Sequence, residues 1–191
     1  LCSFHGIINM AANLIIASGS EIRATLLRNA GLTIETEKPR VDEEMLKAAL
    51  LAEDASPRDI ADALAEAKAR KVSLKRPGQL VVGCDQVLDF QGQILSKPTS
   101  RENAFDQLAA MRGQRHQLLS AAVVYRDGEP RWRHVGVVRL MMRDFSDDYL
   151  NAYLDRNWPE VSYCVGGYKL EEEGVRLMSR VDGDYFNVLG L

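Results

Sequence analysis

Long apolar runs are missing from this chain, and no stretch approaches the ~20 residues that span a bilayer, so no membrane partner is expected. Cysteine is scarce too. The three present, Cys2, Cys84 and Cys164, are far apart and form no C-x-x-C pair. That excludes a disulfide framework and a structural zinc site, and it points to a reducing, cytoplasmic setting. Positive charge is not in excess, since the formal net charge is -3. A polybasic surface for nucleic acid is therefore not expected, and anionic ligands must be held by a few local cations. Repeats, low-complexity segments and flexible linkers are also absent. The 191 residues suffice for one sizeable core, or two lobes sharing a cleft. The amino terminus lacks the pattern of a secretory signal. Met10-Ala11-Ala12-Asn13 looks like a more natural start than Leu1, so residues 1–9 are expected to be an upstream extension and 10–191 a single domain.

What is present alternates between strand and helix. An apolar strand over 14–17 is followed by Ser18-Gly19-Ser20 and a helix over 21–29, with Ser20 as its expected N-cap. A strand, a small-residue loop and a helix N-terminus make a ready anion site. A weak strand over 32–37 precedes Asp42-Glu43-Glu44, which opens an amphipathic helix. Those acids suit the helix dipole, and a metal is the functional alternative. Ser56-Pro57-Arg58-Asp59 is a strong helix start. In that helix Lys68 falls on the apolar stripe of Ile60, Leu64 and Val72, either snorkelling or pointing into a cleft. Helices follow at Ser100 and Ser146. Between them lie long strands over 116–125 and 131–142, turned at Asp127-Gly128. The basic-aromatic run 131–134 reads as a solvated strand face. A polar glycine-containing segment, a last strand over 175–181 and an irregular end from Gly183 complete the chain.

The sharpest local conflict lies in residues 80–98. Period-2 alternation puts Leu80, Val82, Cys84, Gln86 and Leu88 on one face, and Val81, Gly83, Asp85, Val87 and Asp89 on the other. Asp85 interrupts an apolar face, where an unpaired carboxylate is costly or takes up a proton, so a cation is expected beside it. Gln91-Gly92 reads as a two-residue turn. In strict register Lys97 then lies opposite Gln86 and shares its face, and a bulge would turn it towards Asp85. A solvated edge hairpin is the simpler alternative and stays open on this stretch alone.

Several short motifs stand in a telling order. They are L-I-I-A-S-G-S (14–20), V-D-E (41–43), A-x-x-K-A (65–69), D-Q-V (85–87), K-P (97–98), G-Q-R-H (113–116) and G-D-Y-F-N-V-L-G-L (183–191). From Leu14 to Leu191 the chain resembles the Maf (septum-formation) nucleotide pyrophosphatases. The resemblance implies an α/β fold, an elongated mixed sheet with two lobes around a cleft, similar to that of inosine triphosphate pyrophosphatases. It implies hydrolysis of a nucleoside triphosphate to the monophosphate and pyrophosphate with a divalent metal, Mg²⁺ or Mn²⁺.

Carried over by residue, Asp85 matches the proton acceptor that activates water. Lys68 and Lys97 match lysines facing the phosphates. Ser18, Ser20 and Arg23 match the phosphate-binding loop, and Glu43 with Asp85 matches the metal-holding acids. Gln86 and Glu171 resemble the base-reading positions of the subgroup acting on 7-methyl-GTP. A carboxylate can accept from both guanine N1–H and N2–H. Four features depart from the family. Glu21 stands where it usually has Pro, and Ala24 where it has a second Arg. Ser96 replaces a common Gly, which reads as a minor change. The chain ends before the family's terminal helix. The first two favour an alternative, a nucleotide-binding regulator of cell division with weak or lost catalysis. A dTTP/UTP pyrophosphatase is a further alternative. A homodimer is carried as an expectation with no motif behind it.

Overall fold

The computed structural model describes residues 14–191, so the expected extension at 1–9 lies outside the described residues. A seven-stranded mixed sheet forms the centre of the α/β fold. Its strands are β1 (Leu14–Ala17), β2 (Ile34–Thr36), β3 (Leu80–Phe90), β4 (Gln93–Leu95), β5 (Arg115–Arg126), β6 (Glu129–Met142) and β7 (Met178–Asp182). They are ordered β2-β1-β3-β5-β6-β7, with β4 beside β3. The pairs β1–β2 and β1–β3 are parallel, and the remaining pairs are antiparallel. The helices are α1 (Glu21–Asn29), α2 (Glu43–Ala52), α3 (Pro57–Ser73), α4 (Arg101–Met111), α5 (Asp147–Asn157) and α6 (Tyr185–Val188).

Local chemistry sets most of these boundaries. The side chains of Asp42, Ser56, Ser100 and Ser146 each accept a backbone N–H of the following first turn. Such caps contribute about 1 kcal/mol each. Gln91 and Gly92 both have positive φ, at 54° and 83°, as a primed hairpin turn requires.

Alternation on the long strands divides the core between the two faces of the sheet. Val87, Leu119, Ala121, Val123, Tyr125 and Val135 pack against Ile60, Ala61, Leu64, Ala65 and Ala69 of α3. On the other face Leu88, Leu118, Val138, Leu140 and Met142 pack against Ala104, Leu108 and Met111 of α4 and Leu150, Tyr153 and Leu154 of α5.

The structure departs from the sequence reading in four places. Ser20 flanks α1 but makes no side-chain cap. The strand placed over 175–181 starts at Met178, because 3-10 turn Glu173–Leu177 occupies its first residues. The strand after the hairpin turn ends at Leu95, so Lys97 belongs to no ladder and is opposite neither Gln86 nor Asp85 in a register. The end from Gly183 is not irregular, since it contains α6, capped by Asp184.

Candidate active site

One edge of β3 is paired with β5 from Leu80 to Asp89. The other is shared. β1 pairs there with residues 80–83 and β4 with residues 88–90. Residues 84–87 between them face an opening. The loop after β1 forms one side of it and the chain leaving β4 the other. The opening leads into a cavity of about 1290 Å³.

Asp85 lies at this gap on the α3 face. Gly83 explains how the helix comes so close. A Cβ there would stand 2.2 Å from Ala65 O and 2.5 Å from Ala69 N. The close approach places Lys68, one turn along α3 from Leu64, directly on Asp85. Lys68 Nζ is 2.5 Å from Asp85 Oδ1 and 2.9 Å from Glu43 Oε2. Lys68 is 6% exposed and Asp85 7%, so Lys68 does not snorkel. The cation that Asp85 requires comes from α3 and not from the hairpin. Removing one partner of such a buried pair costs about 3–5 kcal/mol.

Glu43, at the first turn of α2, is exposed and closes the cluster from outside. Among the described residues no group of three or more His, Cys, Asp or Glu side chains forms a closed metal cage. What converges is a pair of carboxylates, Glu43 and Asp85, on the Lys68 ammonium. Carboxylate oxygen is the donor type that hard divalent ions take.

The phosphate side is built around Ser18. Its buried Oγ accepts from Ser20 N–H at 3.1 Å and from Arg23 Nη1 at 3.3 Å. The Ser20 side chain makes no cap on α1. Arg23 is largely committed: Nε donates to Gly190 O at 2.7 Å and Nη1 to Cys84 O at 3.1 Å. Its Nη2 makes no hydrogen bond among the described residues, and Arg23 lines the cavity. Glu21 is exposed at the start of α1 and also lines the cavity, whereas Ala24 is buried and does not.

Two lysines that the motif reading passed over belong to the site. Lys38, from the loop after β2, lines the cavity, and its stem carbons lie 3.6–3.8 Å from the Cβ position at Gly19. Nothing in the local sequence marks it; the β1–β2 pairing brings it there. Lys47 of α2 bonds Glu44 and donates to Ser96 Oγ at 2.7 Å. Ser96 is therefore no minor replacement for glycine, because it ties the segment bearing Lys97 to the helix bearing Glu43. Lys97 itself is exposed, lines the cavity and makes no ion pair among the described residues.

Gln86, on the opposite face from Asp85, still reaches the cavity. Its Nε2 donates to Ser120 Oγ at 2.8 Å and to the carbonyls of Asn187 and Val188 at 3.0 Å each. Its Oε1 is left as an acceptor. Glu171 is exposed in the same cavity, beside Lys169 and Cys164. The backbone before Glu171 is anchored from beneath. Tyr168 Oη bonds His116 Nε2 at 2.7 Å, and Tyr153 Oη donates to Gly167 O at 3.2 Å. Burial lowers the His116 pKa to about 4. Burial also pushes the Cys84 and Cys164 thiols up, so neither is an activated nucleophile.

A family model described as Maf-like protein matches residues 13–191. A protein of Ruegeria pomeroyi named nucleoside triphosphate pyrophosphatase is 65% identical over 182 residues, which cover 95% of this chain and 92% of that one. A Caulobacter vibrioides protein of the same name is 51% identical over 176 residues, covering 92% and 88%. A Mesorhizobium japonicum protein named 7-methyl-GTP pyrophosphatase is 43% identical over 182 residues, covering 95% and 92%.

Proposed function

The chain belongs to the Maf-like family, and on that footing we propose that its cleft hydrolyses a nucleoside triphosphate to the monophosphate and pyrophosphate, with 7-methyl-GTP or another modified nucleotide as substrate. The observation that carries the chemistry is the buried Asp85–Lys68 pair at the gap in the sheet edge, facing the Ser18–Arg23 loop.

In this reading Asp85 takes a proton from a water positioned against the α-phosphorus. The new bond is water oxygen to phosphorus. The α–β anhydride P–O bond breaks, and its electron pair leaves on pyrophosphate. Lys68 and Lys97 offset the charge that develops on the phosphoryl and leaving oxygens. Ser18, Ser20 and Arg23 hold the remaining phosphate oxygens. Glu43 and Asp85 would hold a divalent ion such as Mg²⁺ or Mn²⁺, which neutralises phosphate charge and acidifies water when bound.

Base selection draws on acceptors. Gln86 offers Oε1, its nitrogen being spent inside the protein, and Glu171 offers a carboxylate. Guanine presents N1–H and N2–H donors to such a pair, whereas uracil and thymine present mostly carbonyls. The 7-methyl-GTP name of a 43% identical relative supports the same choice.

One feature favours a second reading, a nucleotide-binding regulator without efficient turnover. Glu21 places a carboxylate at the α1 N-terminus, where it opposes a bound phosphate. Pyrophosphate release from a nucleotide panel with Mg²⁺ or Mn²⁺ separates the two. Wild type is expected to turn over, and Asp85→Asn to lose at least about a hundredfold in kcat while still binding nucleotide. If both proteins bind nucleotide and neither releases pyrophosphate, the regulator reading stands and the enzyme reading fails. Equal turnover of UTP and 7-methyl-GTP would remove the guanine assignment.

A further inference from the structure

Gln86, Ser120 and Gly136 are cross-strand neighbours in one row across β3, β5 and β6. The row two residues along the strands is Leu88, Leu118 and Val138, all core. The first row instead carries an amide, a hydroxyl and a bare backbone, and α6 sits on it. Gln86 Nε2 donates to Asn187 O and Val188 O at 3.0 Å each and to Ser120 Oγ at 2.8 Å. Ser120 Oγ donates in turn to Asn187 O at 2.7 Å.

Gly136 has no positive φ to explain its lack of a side chain. Its reason is contact. A Cβ there would stand 2.3 Å from Asn187 Oδ1 and 2.9 Å from Asn187 Cγ. Asn187, 7% exposed, fills a niche that only glycine leaves open. Asp184 Oδ1 holds the segment in shape by accepting from the N–H groups of Phe186 and Asn187. Three residues past Asn187, Gly190 O takes the Arg23 Nε–H at 2.7 Å. One short segment thus fastens a phosphate-side arginine and a base-side glutamine, which come from different elements.

We propose that residues 184–191 are a strap whose seating on this row sets base selection and phosphate affinity together, with Ser120 and the backbone carbonyls of Asn187 and Val188 as the positioning groups. The inference rests on the pyrophosphatase reading for the identity of the ligand. Its logic is the amide of Gln86. While the strap carbonyls take its N–H groups, Gln86 meets the base as an acceptor only. Once the strap lifts, the amide is free to donate as well, and a uracil carbonyl becomes a partner.

The test uses the full chain and three variants: Gly136→Ala, Ser120→Ala and the double variant Gly136→Ala/Asn187→Ala. Turnover of GTP-type and UTP substrates is measured alongside binding of their α,β-methylene analogues and the melting temperature. Gly136→Ala is expected to compress the guanine-over-uracil preference about tenfold, the effect of one mis-set polar contact. Ser120→Ala, which introduces no clash, is expected to shift it in the same direction. The double variant removes the clashing atoms and is expected to return the ratio to within about threefold of wild type. A lowered melting temperature with an unmoved ratio in both single variants overturns the strap, as does a folded double variant that fails to restore it. A wild type without base preference also overturns it. If Gly136→Ala does not fold, Ser120→Ala decides. A wild type that binds the analogues but releases no pyrophosphate sinks the pyrophosphatase reading, while the binding ratios still judge the strap.

Discussion

Lys38 changes the account of the phosphate loop more than any other residue. The family pattern places a second arginine where this chain has Ala24, and Ala24 is 1% exposed on the packed side of α1. Arg23 spends two of its nitrogens on Gly190, Cys84 and Ser18. Lys38 lies over Gly19 with its stem in contact and its ammonium unpaired among the described residues. Lys38→Ala is expected to raise KM for a nucleoside triphosphate about tenfold with little change in kcat, the size of a charge-assisted hydrogen bond. Lys38→Arg is expected to recover most of that loss. An unchanged KM in Lys38→Ala, measured at low ionic strength, would take Lys38 out of the site. The sequence showed unevenly at this scale. Strand alternation alone marked Asp85 as a buried-face acid in need of a cation. It could not say which cation, because the partner sits on a helix 17 positions earlier and meets Asp85 only through tertiary contact. Lys38 carried no periodic or motif signal at all.

Among the elements, the α3–β3 contact is the one the site depends on. Gly83 permits it, and the atoms facing Gly83 are the backbone of Ala65 and Ala69, which cannot rotate away. Gly83→Ala is expected to push α3 outwards and carry Lys68 off Asp85. Overpacking of this kind costs about 1–3 kcal/mol, which lowers Tm by several degrees, and kcat is expected to fall with it. Gly92→Ala is the control. Gly92 has φ 83° and nothing near its Cβ position, so its cost is backbone strain at a distant turn. It is expected to lower Tm and leave kcat unchanged. A Gly83→Ala enzyme with full kcat would show that the helix contact does not position the chemistry. The elements themselves were largely readable, since Ser56-Pro57, Ser100 and Ser146 cap helices as their sequence signals promised. The errors fell at Ser20, which makes no side-chain cap, and at α6, which Asp184 caps and whose further polar contacts lie on the distant strands β3 and β5.

For the molecule as a whole, His116, the end of G-Q-R-H, makes stability depend on pH in the mildly acid range. His116 is 2% exposed, bonded to Tyr168 through Nε2 and with its Nδ1 unpaired. Burial lowers its pKa from 6.5 to about 4. Above pH 6.5 the ring is neutral in both folded and unfolded chains, so its contribution is fully present. As pH falls below that, the unfolded chain takes up a proton that the folded one refuses. Stability drains away until pH reaches about 4, where the folded ring is itself protonated. The whole loss is about 3 kcal/mol. Glu173 acts in a separate window. Its hydrogen bonds from Arg156 and Asn157 lower its pKa from 4.5 to about 2, so its contribution is lost only below pH 4.5. Denaturant unfolding between pH 7 and 4.5 therefore reads His116 with little interference from Glu173. His116→Gln is expected to flatten that limb while the limb below pH 4.5 persists. The same variant weakens the anchor beneath residues 164–171, so its KM is expected to rise at pH 7.5, where stability no longer depends on the imidazole proton. A wild-type curve that is already flat between pH 7 and 4.5 would mean that His116 is not held neutral by burial.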